Sequence, residues 1–168
     1  MQIVKRSLLL AVLSITFLTA TQPYASGSFA RAFNFGGMKL KIEQTYTDDG
    51  VSKPVVHLND ATLRQYSHMQ RLEIAYEALL VSNDISERVV VLYHWDGAVS
   101  CAGNFTIFSL SNEGFEHYPM FGNCVENYTI ETKFEDDEEF LLITSFSDEE
   151  KTKIQKSWSY RNHVLFLP

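Results

Sequence analysis

The chain has 168 residues, of which 45% are hydrophobic and 13% aromatic, and its formal net charge at pH 7 is −7. That length and apolar content suit one globular core. The acidic balance repels phosphate backbones and anionic lipid surfaces, so nucleic acid is disfavoured as a partner and a basic protein is the charge-matched one.

At the N-terminus Lys5 and Arg6 precede an almost unbroken apolar run from Ser7 to Leu18, and small and polar residues follow to Gly27. This is the layout of a secretory signal peptide. The run is shorter than the roughly 20 apolar residues that span a bilayer. Cleavage is expected after Ala25 or Ala20, with residues 1–25 as the leader and a mature chain that is periplasmic or secreted and not inserted in the membrane. The leader holds two bases and no acid, so its loss takes the charge from −7 to −9.

Residues 26–37, SGSFARAFNFGG, read as a flexible lead-in that ends at a Gly-Gly breaker. From Met38 the pattern has period two, with Met38, Leu40 and Ile42 on one face and Lys39, Lys41 and Glu43 on the other, which is a half-buried strand. TDDG at 47–50 is a turn, and KPVVHL restarts a strand with Pro54 near its beginning. The segment 60–81 fits two periods. Leu72, Ala75, Tyr76, Leu79 and Leu80 suit a helix that Asp60 would cap, whereas Leu72, Ile74, Tyr76, Ala78 and Leu80 suit a strand. The turn-like SNDISE and the β-branched, aromatic run RVVVLYHW after it favour a strand over 71–81 paired back as a hairpin, with at most one short helix between 60 and 72.

Beyond that point NFTIFSL precedes the turn SNEG, YTIETKF and FLLITSF flank the acidic turn EDDEE, and KSWSY and VLFLP flank RNH. Short strands at this spacing predict a mainly β fold: one antiparallel sandwich, or a curved-sheet or barrel-like domain, over residues 38–168.

Cys101 and Cys124 are the two cysteines of the chain. In an exported protein an even, small number of cysteines reads as a disulfide, and closing a loop of about 22 residues is worth roughly 3 kcal/mol. The rival readings are weaker. A thiolate nucleophile needs a base such as His94 or His117 beside it, and zinc prefers closely spaced ligand pairs that this chain lacks. The order Asp96, Gly97, Cys101, then Phe121, Gly122, Asn123 and Cys124, followed by paired strands to the C-terminus, resembles a loose set of small exported proteins of Gram-negative bacteria over about residues 88–168. That resemblance brings no activity and no functional residues.

His94, Asp96, Glu116 and His117 are the acid–base candidates, but the chain contains no Gly-x-Ser-x-Gly, His-Glu-x-x-His or Ser-x-x-Lys pattern to go with them. No catalytic, cofactor or metal residue is therefore nominated. Glu135, Asp136, Asp137, Glu138 and Glu139 lack the alternation and glycine of a calcium loop. They are the candidate partner-binding residues, as a protruding acidic loop that steers and docks a basic protein. The expected function is thus an exported, non-catalytic binding domain of the inhibitor or immunity type. The alternatives are a periplasmic hydrolase built on His94 or His117 and a small-ligand carrier with an aromatic-lined barrel.

Overall fold

The computed structural model describes residues 28–46, 52–66, 71–82, 85–95, 103–122 and 124–167, and among these residues every regular element is a strand. The fold is all-β, as the spacing of short strands and turns predicts.

β1 (Ser28–Phe35), β2 (Met38–Tyr46), β3 (Ser52–Leu58) and β4 (Ala61–Gln65) form a four-stranded antiparallel sheet in that order. β5 (Arg71–Ser82), β6 (Ile85–Trp95), β7 (Asn104–Ser111) and β8 (Gly114–Phe121) form one antiparallel meander. β9 (Asn127–Glu135), β10 (Glu138–Phe146), β11 (Ile154–Arg161) and β12 (Val164–Phe166) form a second. The two meanders join where Glu138 of β10 pairs with Ser82 of β5, giving the order β12-β11-β10-β5-β6-β7-β8 in a nearly closed, barrel-like sheet, with β9 on β10 beside that path.

Side chains close what the ladders leave open. Between β5 and β9, Tyr76 and Thr132 share a hydrogen bond of 3.2 Å and the Tyr128 hydroxyl donates to Glu73 at 2.9 Å. Between β8 and β11, Phe121 packs on Trp158 and Tyr118 on Tyr160, with ring centroids 5.8 and 5.4 Å apart.

Two apolar layers result, and alternation along β6 and β7 divides residues between them. Val89, Val91, Tyr93, Phe105 and Ile107 point into the barrel, where they meet Leu80, Leu141, Ile143, Trp158 and Tyr160. Val90, Leu92, Phe108 and Leu110 point outward, where the four-stranded sheet covers them with Phe33, Leu40, Ile42, Val56 and Tyr66. Burial on both faces explains why RVVVLYHW and NFTIFSL read as almost unbroken apolar runs rather than as alternating ones.

Among the described residues, four hairpins turn through two residues that both have positive φ, as a type I′ turn requires: Gly36–Gly37, Asn59–Asp60, Asp136–Asp137 and Asn162–His163. The right-handed twist of the flanking strands favours this geometry.

Three expectations are corrected or completed here. Residues 28–35 are not a flexible lead-in but strand β1, with Phe33 in the core, and Gly36–Gly37 is a hairpin turn rather than a domain edge. The pattern was obscured by Arg31, which shares the inward face with Phe33 yet reaches Glu77 of β5 at 2.7 Å at the edge of the layer. Residues 61–65, where a short helix was allowed, are strand β4, and Asp60 sits in the turn before it instead of capping a helix. Residues 71–82 are a strand that pairs with β6 from Arg71↔Trp95 to Ser82↔Ile85, as the hairpin reading expects. The predicted turn at 47–50 and the leader 1–25 lie outside the described residues.

Phe108 faces Val90 across the β6–β7 ladder and is fully buried between the sheets. Phe108→Ala is expected to cost about 3–5 kcal/mol. A urea titration should show the loss as a lower midpoint with an unchanged slope.

Candidate functional site

The acidic hairpin lies at the end of β9 and β10. Asp136 and Asp137 form the turn and are exposed. The other three acids already have partners within the chain. Glu135 binds Arg161 at 2.8 Å, Glu138 lies 3.9 Å from the same guanidinium, and the Glu139 carboxylate accepts the Val81 backbone N–H at 2.9 Å. Arg161 also sits 4.3 Å over the Phe140 ring. The five acids thus divide into a tip of two and a base of three that fixes the hairpin on β5 and β11.

Sequence reading did not single out Phe134, which is 69% exposed and stands on β9 opposite Glu139, beside the acids. Its place in YTIETKF suggests a core position. The last five residues of β9 are all exposed, however, although they pair with β10 to the end of the strand.

His94 and His117, the two histidines weighed as acid–base candidates, pack against aromatic rings. His94 is 2% exposed, shares a 3.0 Å hydrogen bond with Thr106 and packs near the Tyr66 ring. His117 stacks on Phe108 at 4.9 Å and lies 3.5 Å from Arg64. Burial, and then the nearby Arg64 charge, hold the His117 pKa below its ordinary value. Glu116 precedes His117 in the strand and therefore takes the opposite face, where it meets Tyr118, so the structure separates this pair. Asp96 and Cys101 lie outside the described residues.

The chain around the cysteines is tied together. Val125 N–H donates to the Gly103 carbonyl at 2.8 Å, and the Tyr93 hydroxyl donates to the Val125 carbonyl at 2.8 Å. Gly103 is needed for that approach, because a Cβ there would lie 2.3 Å from Cζ of Tyr93. Among the described residues no cysteine is free. Gly122 and Cys124 both have positive φ.

The densest polar cluster was not foreseen. Glu87, at the start of β6, is 3% exposed and points into one end of the barrel. Its Oε2 accepts hydrogen bonds from the Tyr160 hydroxyl at 2.6 Å and from the Ser109 hydroxyl. His163 Nδ1 lies 3.4 Å from the same oxygen and 3.6 Å from Oε2 of Glu116, within ion-pair distance but outside hydrogen-bond geometry. The Tyr118 hydroxyl reaches both the Glu116 carboxylate, at 2.7 Å, and the His163 carbonyl, and donates to one of them at a time. Strands β6, β7, β8 and β11 and the last hairpin turn therefore meet on two carboxylates. Two hydroxyls on a buried carboxylate offset its desolvation, so the cluster joins the β8–β11 seam. One signal for it was in the sequence: Glu87 has the parity of Val89, Val91 and Tyr93, which places it inside.

Burial and the neighbouring carboxylates raise two tyrosine pKa values. Tyr160 is pushed well above its ordinary value by burial and then by Glu87, and Tyr118 by burial and then by Glu116. Among the described residues no group of three His, Cys, Asp or Glu is placed to hold a metal ion. Aromatic side chains pack on one another inside the barrel, with Phe105 5.0 Å from Tyr128 and 5.4 Å from Tyr93.

In comparisons with known proteins, no family model, no curated protein and no solved structure matches the chain.

The raised tyrosine pKa values set the sign of an alkaline effect. Above pH about 10 the unfolded chain loses tyrosine protons that the folded chain keeps, so stability is intact below that pH and falls as pH rises past it. Tyr160→Phe is expected to cost about 1.5–3 kcal/mol at neutral pH, the range for a hydrogen bond to a charged group. It should also flatten the loss between pH 9 and 11 (about one unit either side of an ordinary tyrosine pKa), measured as denaturant midpoint against pH.

Proposed function

We propose that the chain is an exported, non-catalytic binding domain that docks a cationic protein through the tip of the β9–β10 hairpin. One observation carries this reading: Phe134, exposed over 69% of its surface, stands two residues before the exposed Asp136–Asp137 turn. An isolated aromatic ring next to free carboxylates is the pairing that anchors a basic, partly apolar surface. The base of the hairpin is already bound to Arg161 and Val81, so docking would order few additional side chains. The charge of −9 left after loss of the leader would raise the association rate with such a partner and lower it with nucleic acid. An inhibitor or immunity protein for a basic enzyme has these properties and needs no chemistry of its own.

Export rests on the leader-like residues 1–25 and on the resemblance to exported proteins of Gram-negative bacteria. A Cys101–Cys124 disulfide belongs to the same reading. It is supported by the hydrogen bond between Val125, which follows Cys124, and Gly103, two residues after Cys101. The intact mass of protein purified from the envelope should be that of the processed chain less two hydrogens. Two free thiols would count against both export and the bridge.

Binding to a basic lysozyme, used as the cationic probe, should weaken steeply as salt rises. Asp136→Asn/Asp137→Asn and, separately, Phe134→Ala should each weaken it about tenfold, equivalent to about 1.4 kcal/mol. Affinity that is independent of salt and equal in all three proteins would sink the proposal.

A further inference from the structure

The four-stranded sheet does not seal against the barrel along its whole length. At the β1–β5 edge a pocket of about 310 Å³ opens between them, lined by Phe29 and Arg31 of β1, Gln44 of β2, and Leu72, Glu73 and Ile74 of β5. That volume is at the small end of ligand sites. The β1–β2 register explains its polar groups. Phe29 lies opposite Gln44 and Arg31 opposite Ile42, so these four side chains share the face turned toward the barrel.

Gln44 is 1% exposed, and its Nε2 is buried without a hydrogen-bond partner. A donor in that position has given up water and received nothing in exchange. On the adjacent strand, the Arg31 guanidinium donates to Glu77 at 2.7 Å and lies 5.2 Å over the Phe33 ring. Glu77 is also bound by Arg88, so two guanidinium groups share one carboxylate. The one acid in the pocket lining, Glu73, accepts the Tyr128 hydroxyl at 2.9 Å. The walls are otherwise apolar, formed by Phe29, Leu72 and Ile74.

We infer that this pocket binds a small apolar monocarboxylate, with its tail against Leu72, Ile74 and Phe29 and a carboxylate oxygen accepting from Gln44 Nε2 beside the Arg31 guanidinium. The ligand class follows from the donors. A primary amide N–H and a guanidinium have hydrogens to give, and the apolar walls select a hydrocarbon body over a sugar or a polar amino acid. The site is separate from the acidic hairpin, so its failure would leave the docking proposal untouched.

Octanoate is a suitable probe, with octanol as the same tail without the carboxylate. Titrated into the full chain and followed by NMR, octanoate should shift the Gln44 side-chain amide and the Ile74 methyl resonances saturably. Octanol should bind at least tenfold more weakly. Gln44→Met keeps the side-chain volume and removes the unmet donor, so it should fold with an equal or higher Tm and still lose at least tenfold in octanoate affinity. Arg31→Met, at the rim, gives a second variant that leaves the buried position alone and should weaken octanoate binding without affecting octanol. The proposal is overturned if octanoate gives no saturable shift, if octanol binds as well as octanoate, or if both variants bind octanoate like the parent chain.

Discussion

β6 and β7 are apolar on both faces, and a strand of that kind cannot lie in a sheet with one side in water. The rest of the chain supplies a cover for each side. The β9–β12 meander curls round to complete the barrel over one face, and β1–β4 forms the separate sheet over the other. Because strand side chains alternate, a slip of one residue in β6 would drive Glu87 out among Phe33, Leu40 and Ile42 and bring Val90 and Leu92 inside. The Glu87 carboxylate, held by Tyr160 and Ser109, therefore fixes the register as well as contributing to the seam.

β11 links that seam to the proposed docking surface. Tyr160 points inward to Glu87, while the next residue, Arg161, points outward, covers the Phe140 ring and binds Glu135. Consecutive residues of one strand thus fasten the barrel and the base of the acidic hairpin. The contacts of Glu135, Glu138 and Glu139 hold the strands on either side of the exposed Asp136–Asp137 turn in place. Positive φ at both of these positions is compatible with aspartate, which tolerates this conformation better than most side chains.

Much of the fold was legible because hairpin turns and strand runs are local signals. The turns SNEG, EDDEE and RNH lie where the chain reverses, and the apolar run after SNDISE pairs back on β5. The parts that were not legible depend on contacts far apart in sequence. Arg31 looks like a break in an apolar pattern until Glu77 is beside it. Phe134 has the parity of Tyr128 and Ile130, which pack against the barrel core, and sequence does not reveal that its own position is left exposed. His94 and His117, conspicuous as possible catalysts, occupy the layer between the sheets, whereas His163, hidden in a turn, meets Glu87 and Glu116. The Gln44 pocket draws on three strands, and its polar residues are scattered from Arg31 to Glu73.

The covering role of the four-stranded sheet also shapes how the protein is made. Ribosomes deliver β1–β4 before the strands that bury it, and at about 5–20 residues per second the interval between Val56 and Phe108 is about 3–10 seconds. During that time Phe33, Leu40, Ile42 and Val56 form a sticky, half-built surface with nothing to cover it. A chain of this design needs either a chaperone to hold it unfolded or a fold that waits for the whole polypeptide, and passage through an export channel in an extended form would provide the second.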